Sequence, residues 1–240
     1  MTNQILRVMP REMRLMSERI LSLTALPKGF ALMVGDVVMY SEAMGFGGFQ
    51  LLMDRIDTLL PSDPSILTMK ERKNGRFVLD GGGLHAWFAV PSVLDLLEEA
   101  LGDCDEASVE IVNVMDVEET GIAEGLGARS GLSVEVDGSS IRARKAPPSD
   151  PVLDKVMDDG CPIAADLWWS VWAKAQTALT PDSPVSRRHA GVNIVTDDGQ
   201  IIGRTDNDDD TDASFIASPQ VETDRKAISD ISHTTESTNP

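Results

Sequence analysis

Two adjacent arginines, Arg187 and Arg188, stand just before His189, with Ser183 and Ser186 shortly upstream and Gly191 downstream. Guanidinium groups present a planar fork of donors matched to carboxylate or phosphate. The two serines add hydroxyl donors, and the glycine permits close backbone approach. Arg187, Arg188, Ser183 and Ser186 are therefore a candidate anion-binding set. The competing reading is structural, with Arg187 pairing to Asp206 or Asp208 and pinning the end of the chain.

A second constellation is His85, with Asp80 five residues before it and Gly81-Gly82-Gly83 between. A His–Asp pair can move protons if folding brings the two side chains into hydrogen-bond reach. The alternative is that His85 packs beside Trp87 and Phe88 with one nitrogen hydrogen-bonded. No nucleophile accompanies the pair in a recognisable local motif, since Gly-x-Ser-x-Gly does not occur. The glycine run lacks both the Gly-x-Gly-x-x-Gly spacing of dinucleotide loops and the Lys-Ser/Thr of phosphate loops. It reads as a tight connection, as does Gly45-Phe46-Gly47-Gly48. No residue is assigned a catalytic role from pattern alone, and no metal set is assigned. The alternation Asp206, Asp208, Asp210 resembles a calcium loop, but Thr211 stands where glycine is needed and Ala217 where glutamate is needed. Cys104 and Cys161 are isolated and read as small buried hydrophobes.

Composition narrows the class. Apolar residues are 42% and charged residues 25%, as in soluble globular proteins. Lys and Arg number 21 against 39 Asp and Glu, giving a formal charge of −18. A field of that sign repels phosphate backbones, so no nucleic-acid partner is expected. Charges interrupt the first 26 residues, and no stretch approaches the ~20 apolar residues of a membrane span. The expectation is a cytoplasmic protein without a membrane partner.

The elements that must position these residues follow from periodicity. Met9, Met13, Met16, Ile20 and Leu23 recur at helical spacing, with Pro10 suited to the first turn. Phe30 to Met44 predicts a second, more apolar helix, a possible oligomer interface, and Phe49 to Leu60 a third. Asn74-Gly75 and Asp137-Gly138 each predict a hairpin between flanking strands. Val90-Pro91-Ser92 reads as the opening of a helix to Leu101, Ser108 to Met115 as a strand, and Val117 to Ser130 as a helix. Pro147 to Pro151 reads as a loop. Ala164 to Leu179 predicts a helix carrying Trp168, Trp169 and Trp172, with Trp169 on the face opposite the other two. Asp197-Asp198-Gly199 predicts a short terminal hairpin. The fold class is α+β, N-terminal helices followed by a mixed sheet with hairpins and packing helices, in one domain over residues 5–203. Residues 204–240 are rich in Ser, Thr, Asp and Glu and are expected to form a disordered acidic tail.

The run Trp172-Ala173-Lys174-Ala175-Gln176-Thr177, then Pro181-Asp182-Ser183, Ser186-Arg187, Ala190-Gly191 and Asp206-Asn207-Asp208, resembles the closing motif of a bacterial family built on a domain of unknown function. Leu26 to Leu59 fits that family's helical opening. Gln176 stands where the family carries Arg. The resemblance implies no activity. Gly29 to Asp57 is also similar to the opening helices of the malate/L-lactate dehydrogenases that lack a Rossmann fold, and Leu79 to Val136 to the segment after them. That family carries Ser-His-Gly, with its catalytic His, where this chain reads Phe46-Gly47-Gly48. The resemblance implies a shared fold with the chemistry lost or moved.

Two functional expectations result. The first is a non-catalytic or accessory protein binding a small anionic metabolite or a protein partner. The second is a repurposed oxidoreductase with NAD as cofactor and His85 with Asp80 as acid and base.

Overall fold

Glycine, proline and the helical period set the boundaries of the first helices. In the computed structural model, which describes residues 4–179 and the segments Ile194–Val195 and Ile201–Ile202, α1 (Pro10–Leu21) starts with proline at its first position. It buries Met13, Met16, Ser17, Ile20 and Leu21, a stripe at three- and four-residue spacing. Lys28–Ala43 forms α2, and Gly48–Leu59 forms α3. All three lie where the periodicity places them.

The α2 helix is the hub. Its buried residues run from Val37 through Ser41 without a break, as well as Ala31, Val34 and Gly35, because other helices surround it. This face is therefore taken up by the fold itself, while Leu32 and Met33 on the same helix are exposed. Most of its apolar surface is spent inside its own fold. Gly48 explains how α3 comes so close: a Cβ there would sit 2.4 Å from the Val38 carbonyl oxygen and 2.8 Å from Ser41 Cβ.

The sheet is mixed, in the order β2 (Thr68–Lys73), β3 (Arg76–Asp80), β4 (Ala107–Val112), β6 (Ser140–Lys145), β5 (Leu132–Asp137). The β2–β3 and β5–β6 hairpins turn at Asn74-Gly75 and around Gly138, with φ of 46° and 74° at the first pair. These positive values are what that turn type demands. Between β3 and β4, which run parallel, lies α4 (Ala86–Ala100). This parallel pair gives the sheet its mixed character, and the architecture is α+β with N-terminal helices.

α4 corrects one expectation. Pro91 is inside the helix rather than at its start. It forgoes one backbone hydrogen bond, and the buried faces of Trp87, Phe88, Val93 and Leu97 compensate through packing. Val117 to Ser130 divides into a 3-10 turn (Val117–Gly121) and α5 (Ile122–Arg129).

Further elements were not anticipated. β1 (Ile5–Val8) pairs antiparallel with β7 (Cys161–Ala164), joining the two ends of the unit. Directly after the expected loop, whose residues 147–150 carry no helix or strand, Pro151–Asp159 forms α6, capped by the Asp150 carboxylate accepting the Leu153 N–H at 3.0 Å. α7 (Ala165–Gln176) buries Trp168 and exposes Trp169, as the helical spacing predicts. Trp172 differs. At 42% exposure it shares the outer face with Trp169, at 6.5 Å between ring centroids. The inward stripe is Trp168, Val171 and Ala175.

The chain divides into units of residues 1–179 and 180–240. In the second, β8 (Ile194–Val195) and β9 (Ile201–Ile202) pair antiparallel, where the hairpin was expected. The expected domain end at 203, the acidic tail and the calcium-like alternation lie outside the described residues. No helix among the described residues is long and apolar enough to cross a membrane.

Candidate functional site

His85 is placed by the parallel pair of strands. Past the ends of β3 and β4 the two chains stay together: Met115 donates its N–H to the Leu84 carbonyl at 2.8 Å, and Ala86 donates to the Met115 carbonyl at 3.0 Å. This sets His85 beside Asp116. His85 is also the N-cap of α4, and its Nδ1 accepts the Trp87 N–H at 3.2 Å. The ring proton therefore sits on Nε2 in the neutral form. Nε2 lies 3.2 Å from Asp116 Oδ2, within ion-pair reach but not aimed as a hydrogen bond.

Asp116 is in turn held from outside. Arg55 on α3 donates from Nε to Oδ2 at 3.0 Å and from a terminal nitrogen to Oδ1 at 2.9 Å. This bidentate grip holds the Asp116 carboxyl below the usual carboxylate range. Trp87 Nε1 donates to Glu119 at 2.7 Å, and burial raises the Glu119 carboxyl. The His85 side chain is 0% exposed, and burial pushes its pKa down to about 4. At neutral pH it is an uncharged ring that caps a helix and lies 4.3 Å from the Trp87 ring centroid.

The fold does not join His85 to Asp80. The Asp80 carboxylate accepts the Gly82 N–H at 2.9 Å and the Asn113 amide at 3.1 Å, with Lys70 at 3.3 Å. These donors hold it below the usual range. It fastens the glycine turn. Arg187, Arg188, Ser183 and Ser186 lie outside the described residues.

A second place gathers polar groups around open space. A cleft of 340 Å³ lies among β1, β7, α6 and the turn from α2 to α3. Arg7 reaches it from β1, and Lys155 and Asp159 from α6. Glu42 and Ala43 line it from the end of α2, with Cys161 beside them. Gly45 and Gly47 have φ of 88° and 82°, and a Cβ at either would touch nothing within 4 Å. Their backbone is therefore open to the cleft. Among the described residues, neither Arg7 nor Lys155 has a carboxylate within ion-pair reach, a condition shared with Arg11, Arg19 and Lys28, and Arg7 donates from a terminal nitrogen to the Gly160 carbonyl at 3.5 Å. Glu42 accepts the Phe49 N–H at 2.9 Å, and its carboxyl is raised, chiefly by burial. Burial also pushes the Cys161 thiol up to about 11, so it is protonated and unreactive at neutral pH.

Sequence reasoning found His85 but not this cleft. Arg7 and Lys155 are separated by 148 positions and meet only through the unanticipated β1–β7 ladder and α6. The one local signal was Gly45-Phe46-Gly47-Gly48, which had read as a connection.

No family model matches the sequence, and no curated protein is significantly similar to it. Among solved structures there is distant likeness to dehydrogenases. A malate dehydrogenase from Entamoeba histolytica aligns at 16% identity and TM-score 0.41, over 55% of this chain and 38% of that one. A dehydrogenase from Sinorhizobium meliloti aligns at 21% identity and TM-score 0.40, over 54% and 42%. A malate dehydrogenase from Pyrococcus horikoshii aligns at 12% identity and TM-score 0.43, over 98% and 84%. The chain spans less than half the length of the first two. Scores this low transfer neither an activity nor a site.

Proposed function

We propose that this protein is a non-catalytic or accessory protein that binds a small anionic metabolite, and that the cleft between β1, α6 and the α2–α3 turn is its site. The observation that carries the reading is the pair of cations, Arg7 and Lys155, facing the same cavity with no ion-pair partner among the described residues. Among the described residues six cations, Arg14, Arg55, Lys70, Arg72, Arg129 and Arg144, are held by carboxylates, and what distinguishes Arg7 and Lys155 among the others is that both line one concavity. Two such cations beside an open glycine backbone offer donors to a guest. The cavity suits a small molecule better than a protein partner, because it is a concavity of ligand size. Arg187, Arg188, Ser183 and Ser186 stay with this reading as a second set of anion contacts proposed on sequence alone. Thermal-shift titration with phosphate and short carboxylates tests it. Saturable stabilisation of about 2–5 °C is expected near tenfold excess over Kd, lost on Arg7→Ala/Lys155→Ala. No saturable shift with any of these anions contradicts it.

One observation favours a second reading. His85 beside a carboxylate is the pairing an acid–base step uses, so a nicotinamide-dependent oxidoreductase remains the alternative. Its imidazole is enclosed, and a proton donor has to reach its substrate within hydrogen-bond distance or through one water. That reading requires saturable binding of reduced nicotinamide, read by its fluorescence and abolished in His85→Ala. Absence of such binding removes it.

A further inference from the structure

The cleft is not of one sign. Arg7 and Lys155 line it together with Glu42 and Asp159. The two acids differ. Asp159 is exposed at the end of α6, where water screens it. Glu42 is half-buried, and Oε2 is already fixed by the Phe49 N–H. Among the described residues no donor hydrogen-bonds its other oxygen, Oε1, which is open to solvent and keeps acceptor capacity for a guest.

A simple anion would satisfy the two cations and crowd Glu42 with like charge. Resting on the reading above, we propose that the occupant is a small zwitterion, an amino-acid-like molecule whose anionic group sits on Arg7 and Lys155 and whose ammonium donates to Glu42. The open backbone at Gly45 and Gly47 leaves room for the carbon chain between the charged ends. A volume of 340 Å³ accommodates such a molecule with water to spare. Specificity arises because the desamino analogue leaves the Glu42 carboxylate unpaired, while an amine without its anionic group leaves both cations unpaired.

The test uses the full chain and graded probes: glycine, β-alanine, 4-aminobutyrate and 5-aminovalerate, each against its carboxylate lacking the amine and its amine lacking the carboxylate. Calorimetric titration is expected to show at least one amino acid binding about tenfold tighter than its desamino analogue, the worth of one charge-assisted contact. Glu42→Gln keeps an oxygen for the Phe49 N–H but removes the charge, and is expected to reduce that advantage to less than about twofold. Equal binding of carboxylate and amino acid overturns the zwitterion while leaving the anion site standing. Persistence of the advantage in Glu42→Gln also overturns it, because the ammonium is then held elsewhere. Binding by neither class overturns both readings. The wild-type comparison decides between these outcomes even if the variant does not fold.

Discussion

His85 Nε2 stands 3.2 Å from Asp116 Oδ2 while His85 Nδ1 accepts the Trp87 N–H, so both ring nitrogens face the protein's own groups. The histidine that sequence alone offers as an acid or base is thus a helix cap in a closed interior. Its properties bear on stability before they bear on chemistry.

That enclosure makes stability depend on pH. The folded-state pKa is near 4, below the ordinary 6.5. Between these values the unfolded chain takes up a proton that the folded chain refuses. Stability from this group is therefore complete above about pH 6.5 and falls as pH drops toward 4, by about 3 kcal/mol at most. Glu119 acts in the opposite sense, since its raised pKa favours the folded state when protonated. The difference between wild type and His85→Asn isolates the histidine, because Asn can also cap a helix but does not titrate. Urea melts at pH 7 and pH 4.5 should show wild type losing more stability than the variant. Equal losses would mean that His85 is accessible to protons in the folded state.

Asp116 has φ of 49° and ψ of 55°, a left-handed conformation that Asn and Asp tolerate better than Ala. Asp116→Asn keeps the backbone preference and loses the charge pairing with Arg55, which is 44% exposed and screened. A cost of about 1 kcal/mol is expected. Asp116→Ala adds backbone strain and should cost about 1 kcal/mol more. Equal destabilisation of the two variants would show that the backbone contributes nothing.

α3 meets α2 at Gly48 with no room for a side chain. A Cβ at Gly48 would meet the Val38 oxygen at 2.4 Å and the Glu42 nitrogen at 2.9 Å, backbone atoms that cannot swing aside. Gly48→Ala should cost about 2 kcal/mol or more and lower Tm by about 4–8 °C. A change below about 1 °C would mean that the helices separate without penalty.

Much of the architecture is local and was legible. Asn74-Gly75 marks its hairpin because positive φ is cheap there, and Met13, Met16 and Ile20 mark the inner stripe of α1. What sequence concealed is non-local. Ile5 pairs with Ala164 across the whole unit, and four-residue strands carry too little periodicity to announce themselves. Pro151 looked like part of a loop but opens α6, whereas Pro91 looked like a helix start and lies inside α4. The candidate sites follow the same rule. His85 was visible as a residue type, but Asp116 becomes its neighbour only through the parallel β3–β4 ladder. Arg7, Glu42 and Lys155 share a cleft only because β1 joins β7.

Arg7 and Lys155 are exposed and make no ion pair among the described residues, so replacing both by Ala should change stability by no more than about 0.5 kcal/mol. The same double variant should weaken anion binding by at least about tenfold. Thermal melting and titration on one preparation separate these effects. Large destabilisation with unchanged binding would assign the two residues to the fold instead.

Amide NMR of the full chain, titrated with phosphate and then with 4-aminobutyrate, tests the cleft most directly. The account predicts saturable movement of the Gly45, Gly47 and Gly160 amides with at least one of the two probes, and its loss in Arg7→Ala/Lys155→Ala. Saturable movement confined to other parts of the chain, or none with either probe, would contradict it.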